Sequence, residues 1–293
     1  MKLGVAGIGK MGAAIAARLI EVGHDVSVWN RTPEKAKAVA GAKIAASPAE
    51  LAENSDVGIT ILTDAPALNA VYNGPSGLLH GKVAEKLFID MSTVLPSTEI
   101  ALAGAVRAKN AAFVECPVGG STGPARQGKL IGLMGAEQAD AVRARPILEQ
   151  LCRRLEHAGP VGAGSVLKFT INLPLMVYWQ ALGEALAMAR RVAIEPERLM
   201  DLLSDTSGAA NVLKVRAPGI AAMLKGGSAG AVTFDVDSAI KDMQSMIAEA
   251  RSRGIELPLV ERTLACYQET RQQRSGSAEI STVSVYWANR ARQ

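Results

Sequence analysis

The sequence predicts an α/β protein in two parts, a doubly wound parallel sheet in the N-terminal half and an all-α C-terminal half. Three observations carry that expectation. Short apolar runs alternate with helical patterns in the first half, as repeated βαβ units require. Around the stretch from His157 to Gly164 the composition shifts, and beyond it strand-like alternation gives way to helical spacing. The chain has 293 residues, 48% hydrophobic and 20% charged, which suits two ordinary globular cores and excludes disordered, collagen-like and disulfide-scaffold classes. The expected domains are 1–161 and 162–293, the second beginning with a long helix that links the two.

Expected strands are Lys2–Ala6, Asp25–Trp29, Asp56–Leu62, Leu87–Asp90, Ala112–Glu115 and Leu130–Met134, each short, apolar and bounded by turn residues. Between them fall expected helices at Ala13–Val22, Pro33–Ala40, Pro48–Asn54 and Pro96–Lys109. Thr32-Pro33 and Ser47-Pro48 have the cap-then-proline order that starts a helix. Segment 165–191 is apolar on nearly every face, which predicts a helix buried all round and kinked at Pro174. Val236, Ile240, Met243, Ile247 and Ala250 recur at helical spacing, and Pro218 and Pro258 sit where further helices could begin.

Composition narrows the function. The 32 basic and 28 acidic side chains leave a net charge of only +4, and aromatic residues make up 4%. The arginine pairs Arg143/Arg145, Arg153/Arg154 and Arg251/Arg253 are dispersed and read as solvated helix faces, so no nucleic-acid partner is expected. Cys116, Cys152 and Cys266 are widely spaced without a CxxC, which argues for a reducing compartment and against a metal site. The run from Phe169 to Gly183 is too short to span a bilayer, and the N-terminus lacks the pattern of a signal peptide. A cytoplasmic protein without a membrane partner is expected.

The turn Gly7-Ile8-Gly9-Lys10-Met11-Gly12 follows a strand and opens a helix. In that setting Gly7 permits the tight turn, Gly9 lets the backbone approach a pyrophosphate, and Gly12 allows close helix–sheet packing. This is the Rossmann fingerprint of a dinucleotide site. The next strand ends in Asn30-Arg31-Thr32, with no acid for a ribose 2′-hydroxyl. Arg31 can grip a 2′-phosphate, Asn30, Thr32 and Lys35 can add hydrogen bonds or charge, and Thr32 can also cap the helix at Pro33. NADP is therefore expected over NAD.

These motifs, taken with Gly23-His24, Asp90-Met91-Ser92-Thr93-Val94-Leu95-Pro96, Cys116-Pro117-Val118-Gly119-Gly120, the run Gly162-Ala163-Gly164-Ser165 to Lys168 and Asn172, and Lys241-Asp242, resemble the β-hydroxyacid dehydrogenases. The order and spacing cover nearly the whole chain. The resemblance implies that Lys168 is the catalytic lysine and Asn172 its substrate-positioning neighbour. It further implies cofactor contacts at Leu62, Thr63, Thr93 and Lys241, and substrate contacts at Ser92, Gly119, Gly120, Ser121 and Asp242. Independently, residues 168 and 172 are i and i+4 on one helix face, and an ammonium in an apolar helix must reach a polar site or suffer heavy desolvation. Lys241 could otherwise be an exposed partner of Asp237.

The implied activity is an NADP-dependent exchange between a short hydroxyacid and its semialdehyde, in a homodimer or homotetramer. Alternatives are an imine reductase, against which Lys168 argues, and a non-catalytic NADP-binding scaffold. Departures bear on the substrate. Relatives commonly read Pro-Val-Ser-Gly-Gly where this chain has Pro117-Val118-Gly119-Gly120-Ser121, so the hydroxyl at 119 is missing and Ser121 is the expected substitute. Ile171 replaces the first residue of an Asn-Asn pair, Pro174 is expected to interrupt the helix, and Pro124 stands where relatives often have Gly, which together suggest a more apolar pocket.

Overall fold

The structure, a computed structural model, describes residues 1–290. They divide into two compact units, Met1–Lys168 and a second beginning at Phe169.

The first unit is built on β1 (Lys2–Ala6), β2 (Asp25–Trp29), β3 (Lys43–Ile44), β4 (Val57–Thr60), β5 (Leu87–Asp90), β6 (Ala112–Glu115), β7 (Val118–Gly119), β8 (Leu130–Gly135) and β9 (Cys152–Gly159). They form one sheet in the order β3-β2-β1-β4-β5-β6-β8-β7, with β9 paired to β8. Strands β3 to β6 run parallel, and β8 turns antiparallel to β6 and β7. Helices α1 (Lys10–Glu21), α2 (Pro33–Lys37), α3 (Pro48–Glu53), α4 (Ala65–Asn73), α5 (Pro96–Arg107), α6 (Thr122–Arg126) and α7 (Gln138–Leu151) connect them.

Strand alternation explains the two cores. On β5 and β6, Ile89 and Val114 point into a core with Leu3, Ile15, Leu19 and Leu148, while Phe88 and Phe113 point into another with Leu51, Leu68, Tyr72 and Leu102. Both faces are covered, so the central strands carry continuous apolar runs rather than an apolar–polar alternation. Each large side chain buried this way contributes about 1.5–3 kcal/mol.

Three strands escape the sequence pattern. β3 and β7 have two residues each, too few for a period. β9 reads CRRLEHAG and half of its residues are exposed, because it pairs only with β8 and its outer residues are solvated. Arg153 and Arg154 therefore lie on a strand rather than a helix face, and Arg154 Nε bonds Glu156 Oε1 two residues on at 2.7 Å.

Helix α8 (Ala163–Ala189) crosses from the first unit into the second, which continues with α9 (Pro196–Ser204), α10 (Val212–Leu224), α11 (Val236–Ser252), α12 (Pro258–Gln273) and α13 (Thr282–Arg290). The apolar stripe foreseen on α11 is buried, and Asp235 caps that helix by accepting the Ser238 N–H at 2.9 Å. Pro258 opens α12, but Pro218 lies inside α10. Pro174 likewise lies inside α8 without interrupting it. Nor is α8 buried all round. Phe169, Met176, Trp179, Leu182 and Leu186 form its buried stripe, whereas Ile171 and Met188 on the other side are 40% and 86% exposed. Among the described residues no helix is long and apolar enough to cross a membrane.

Candidate active site

The glycine turn after β1 shows three different uses of a missing side chain. Gly7 has φ +99°, and a Cβ there would stand 2.3 Å from the Ile61 carbonyl oxygen. At Gly12 a Cβ would meet the Gly7 carbonyl oxygen at 1.9 Å, so any larger residue would push α1 off the turn. Gly9 has nothing within 4 Å. The first and third glycines are thus closed by the protein, and the middle one opens outward at the head of α1, where N–H groups lack intrahelical acceptors. That cradle fits a pyrophosphate. Ile8 is buried and its N–H goes to Asn30 Oδ1 at 2.9 Å, while Lys10 is exposed and Met11 half-buried at the start of α1.

Asn30 Nδ2 donates to the Thr32 carbonyl oxygen at 3.0 Å. Its side chain therefore ties the glycine turn to the end of β2, a role that the expectation of a phosphate contact did not anticipate. Thr32 precedes α2 but its hydroxyl does not cap it. Arg31 is exposed, and among the described residues its guanidinium engages no protein group.

Next to β4 and β5 lies a buried polar network. Asp90 ends β5, accepting the Ser92 N–H at 2.8 Å and the Ser92 hydroxyl at 3.1 Å, and it also bonds Thr60 Oγ1. Thr60 Oγ1 in turn meets the Tyr72 hydroxyl at 3.0 Å. Ser92 Oγ accepts the Leu62 N–H at 2.9 Å. The Ser92 hydroxyl, expected to meet substrate, is instead spent inward, with the residue 1% exposed, and fixes the loop bearing Leu62 and exposed Thr63. Thr93, half-buried, follows it. Burial raises the Asp90 carboxyl despite these bonds. Glu99 on α5 is raised well above the usual range, by burial first and then by the charges of Asp90 and Glu115.

In the loop expected to meet substrate, Gly119 pairs with Ile131 on β8, and Gly120 takes φ +121° with Leu130 directly behind it. Ser121 is half-buried ahead of α6, and its hydroxyl makes no hydrogen bond among the described residues.

Lys168 and Asn172 lie one turn apart on α8, each 8% exposed. Asn172 Nδ2 approaches Asp242 Oδ2 at 3.4 Å, and Lys241 Nζ meets Asp242 Oδ1 at 2.9 Å. Asp242, expected at the substrate, is thus the carboxylate that Asn172 and Lys241 share. Lys241 does not use Asp237, which pairs with Arg271 at 2.6 Å.

Sequence reasoning missed Glu115. Its signal was available, since an acid closing a wholly buried strand needs partners, and Glu115 has them in Gly162, Gly164 and Ser165.

Residues 2–159 match the NAD-binding domain of 6-phosphogluconate dehydrogenase. Residues 162–286 match the NAD-binding domain of NADP-dependent 3-hydroxyisobutyrate dehydrogenase. The chain belongs to the β-hydroxyacid dehydrogenase family. It is 32% identical to 3-hydroxyisobutyrate dehydrogenase of Pseudomonas aeruginosa over 86% of each chain. It is also 30% identical to glyoxylate/succinic semialdehyde reductase 1 of Arabidopsis thaliana over 97% of each. The fold is shared with the crystal structure of 3-hydroxyisobutyrate dehydrogenase from Salmonella typhimurium, at TM-score 0.87 and 23% identity, covering 97% of this chain and 99% of that one. An imine reductase from Myxococcus stipitatus is more distant, at TM-score 0.64 and 16% identity, covering 97% of this chain and 99% of that one. As a member of this dehydrogenase family, the chain is an oxidoreductase with an NAD(P)-binding domain.

Proposed function

We propose that this protein interconverts a short β-hydroxyacid and its semialdehyde with NADP, using Lys168 as the general acid/base. The observation that carries the reading is buried Lys168 one helical turn before Asn172, in a chain whose Gly9 turn opens to a dinucleotide. Bound NADPH supplies the hydride in the reductive direction. Lys168 Nζ would give its proton to the carbonyl oxygen as negative charge develops there. The neutral amine is then reprotonated from solvent. In the oxidative direction the neutral amine would remove the hydroxyl proton. A poorly solvated ammonium acts on the developing alkoxide with less screening than water would impose.

Asn172 orients the substrate, with its amide steadied by Asp242. Gly119, Gly120 and Ser121 are the remaining substrate-side groups of this reading, while the Gly7–Gly12 turn, Leu62, Thr63, Thr93 and Lys241 serve the cofactor. Arg31 supports NADP over NAD, because it is an uncommitted guanidinium at the strand end where no acid stands. Exposed Ile171, Met188, Val192 and Val215 support a homodimer or homotetramer formed through the helical unit.

The test is NADPH oxidation with short acid semialdehydes, neutral aldehydes of equal length and cyclic imines. The acid semialdehydes should give the highest kcat/KM. Turnover of imines alone would make the protein an imine reductase, and NADPH binding without turnover of any carbonyl would make it a scaffold.

A further inference from the structure

Glu115 has no part in the chemistry above, yet it is one of the most fully engaged side chains in the first unit. Its Oε1 accepts the Gly162 N–H at 2.6 Å and the Gly164 N–H at 2.7 Å, and its Oε2 accepts the Ser165 hydroxyl at 2.8 Å. All three donors belong to the entry of α8, where the first N–H groups have no intrahelical acceptors and the helix dipole favours a negative charge.

The socket is shaped for this group. A Cβ on Gly135 would stand 2.2 Å from Glu115 Oε1. On Gly164 it would stand 2.3 Å from the Leu133 carbonyl oxygen and 3.1 Å from the same Oε1, and Gly162 takes φ +101° to complete the turn. Two backbones thus approach the carboxylate as closely as glycine allows. Burial pushes the Glu115 carboxyl upward, and the bonds from Ser165, Gly164 and Gly162 oppose that push.

The consequence falls on Lys168. Gly164 and Ser165 precede it by four and three residues, so they lie about one turn, ~5.4 Å, beneath it on the same helix face. Fixing that first turn fixes both the rotation and the axial position of α8 where the ammonium leaves the backbone.

We propose that Glu115 is a positioning residue for Lys168, clamping the entry of α8 so that the ammonium is held at the position its acid–base role requires. This rests on the assignment of Lys168 as general acid/base. The experiment therefore measures kcat, KM and NADPH Kd on intact Lys168→Ala, Glu115→Ala, Glu115→Gln and Ser165→Ala. If Lys168→Ala keeps near-native turnover, the catalytic reading falls and the clamp with it. If Lys168→Ala is inactive, Glu115→Ala is expected to lose about 10- to 100-fold in kcat, with NADPH Kd and KM within about twofold. Glu115→Gln keeps an acceptor for both amides and should recover most of the loss. Native kcat in Glu115→Ala overturns the clamp alone, and so does an equal loss of kcat and NADPH affinity, which marks a merely structural residue. Should Glu115→Ala not fold, Ser165→Ala decides: a fall in kcat of about two- to fivefold at unchanged NADPH Kd supports the clamp, and unchanged kcat overturns it.

Discussion

Two helices in this protein are entered through glycine-rich turns, and they differ in what meets their first N–H groups. At α1 the Gly9 position faces open space and no side chain caps the helix. At α8 the Glu115 carboxylate fills the corresponding place from within. A glycine pattern at a helix start therefore marks an anion site in both cases, but only the open one is available to an external phosphate. The filled one serves to hold a helix.

The largest effect expected from breaking this contrast is at the residue that the filled site supports. Lys168→Ala should lower turnover by on the order of 10²–10⁴ while leaving NADPH affinity nearly intact, as separate turnover and binding measurements would show. Lys168→Arg should be nearly as poor, since arginine does not readily release its proton. Loss of NADPH binding in both would instead assign the lysine to the cofactor.

The open turn offers a sharper test within one motif. Gly12→Ala should cost several kcal/mol, because its Cβ would collide with the Gly7 carbonyl oxygen, a backbone atom. Gly9→Ala should leave the melting temperature within about 2 °C yet weaken dinucleotide binding, since only the bound cofactor approaches that position. Similar melting temperatures for the two variants would refute the assignment of roles within the turn.

Arg31→Ala should weaken NADPH binding by about tenfold and NADH binding far less, because only the former loses a charge-assisted contact to phosphate. Equal losses would contradict the expected cofactor preference.

Beside the filled site, Glu99 allows a pH test. Its folded pKa is raised, so its stability contribution is complete below the unfolded value of about 4.3 and is lost as pH rises toward the folded pKa. Glu99→Gln removes that loss, and should therefore raise the melting temperature relative to the parent by a few degrees more at pH 8 than at pH 5. A pH-independent difference would show that Glu99 is not protonated in the fold. The smallest effect expected is at Ser121, where Ala should raise KM about two- to fivefold for acidic substrates and leave neutral aldehydes unchanged. Unchanged kinetics for both classes would remove Ser121 from the site.

Much of the fold was legible because its signals are local. The strands at Lys2–Ala6, Leu87–Asp90 and Ala112–Glu115 are apolar runs between turns, and α11 carries its stripe openly. β9 was not legible, because an edge strand with solvated arginines has no apolar period, and its pairing with β8 depends on distant residues. Pro218 and Pro174 misled for a related reason, since tertiary packing keeps both α10 and α8 continuous through a residue that alone suggests a boundary. At the site, the glycine turn and the i,i+4 pair of Lys168 and Asn172 could be read directly. The inward commitment of Ser92, the sharing of Asp242 and the clamp at Glu115 could not, because each depends on which neighbour a polar group finds after folding.

The bond from Ile8 to Asn30 has a consequence for redesign of the cofactor preference. The obvious exchange, Asn30→Asp, supplies the acid that favours an unphosphorylated ribose and still accepts the Ile8 N–H. It also sets a carboxylate oxygen against the Thr32 carbonyl, where an amide donor now sits. The side chain that stands where a ribose-binding acid would stand is also a hinge pin for the turn, so an engineered switch needs a compensating donor near residue 32 before the new acid can help.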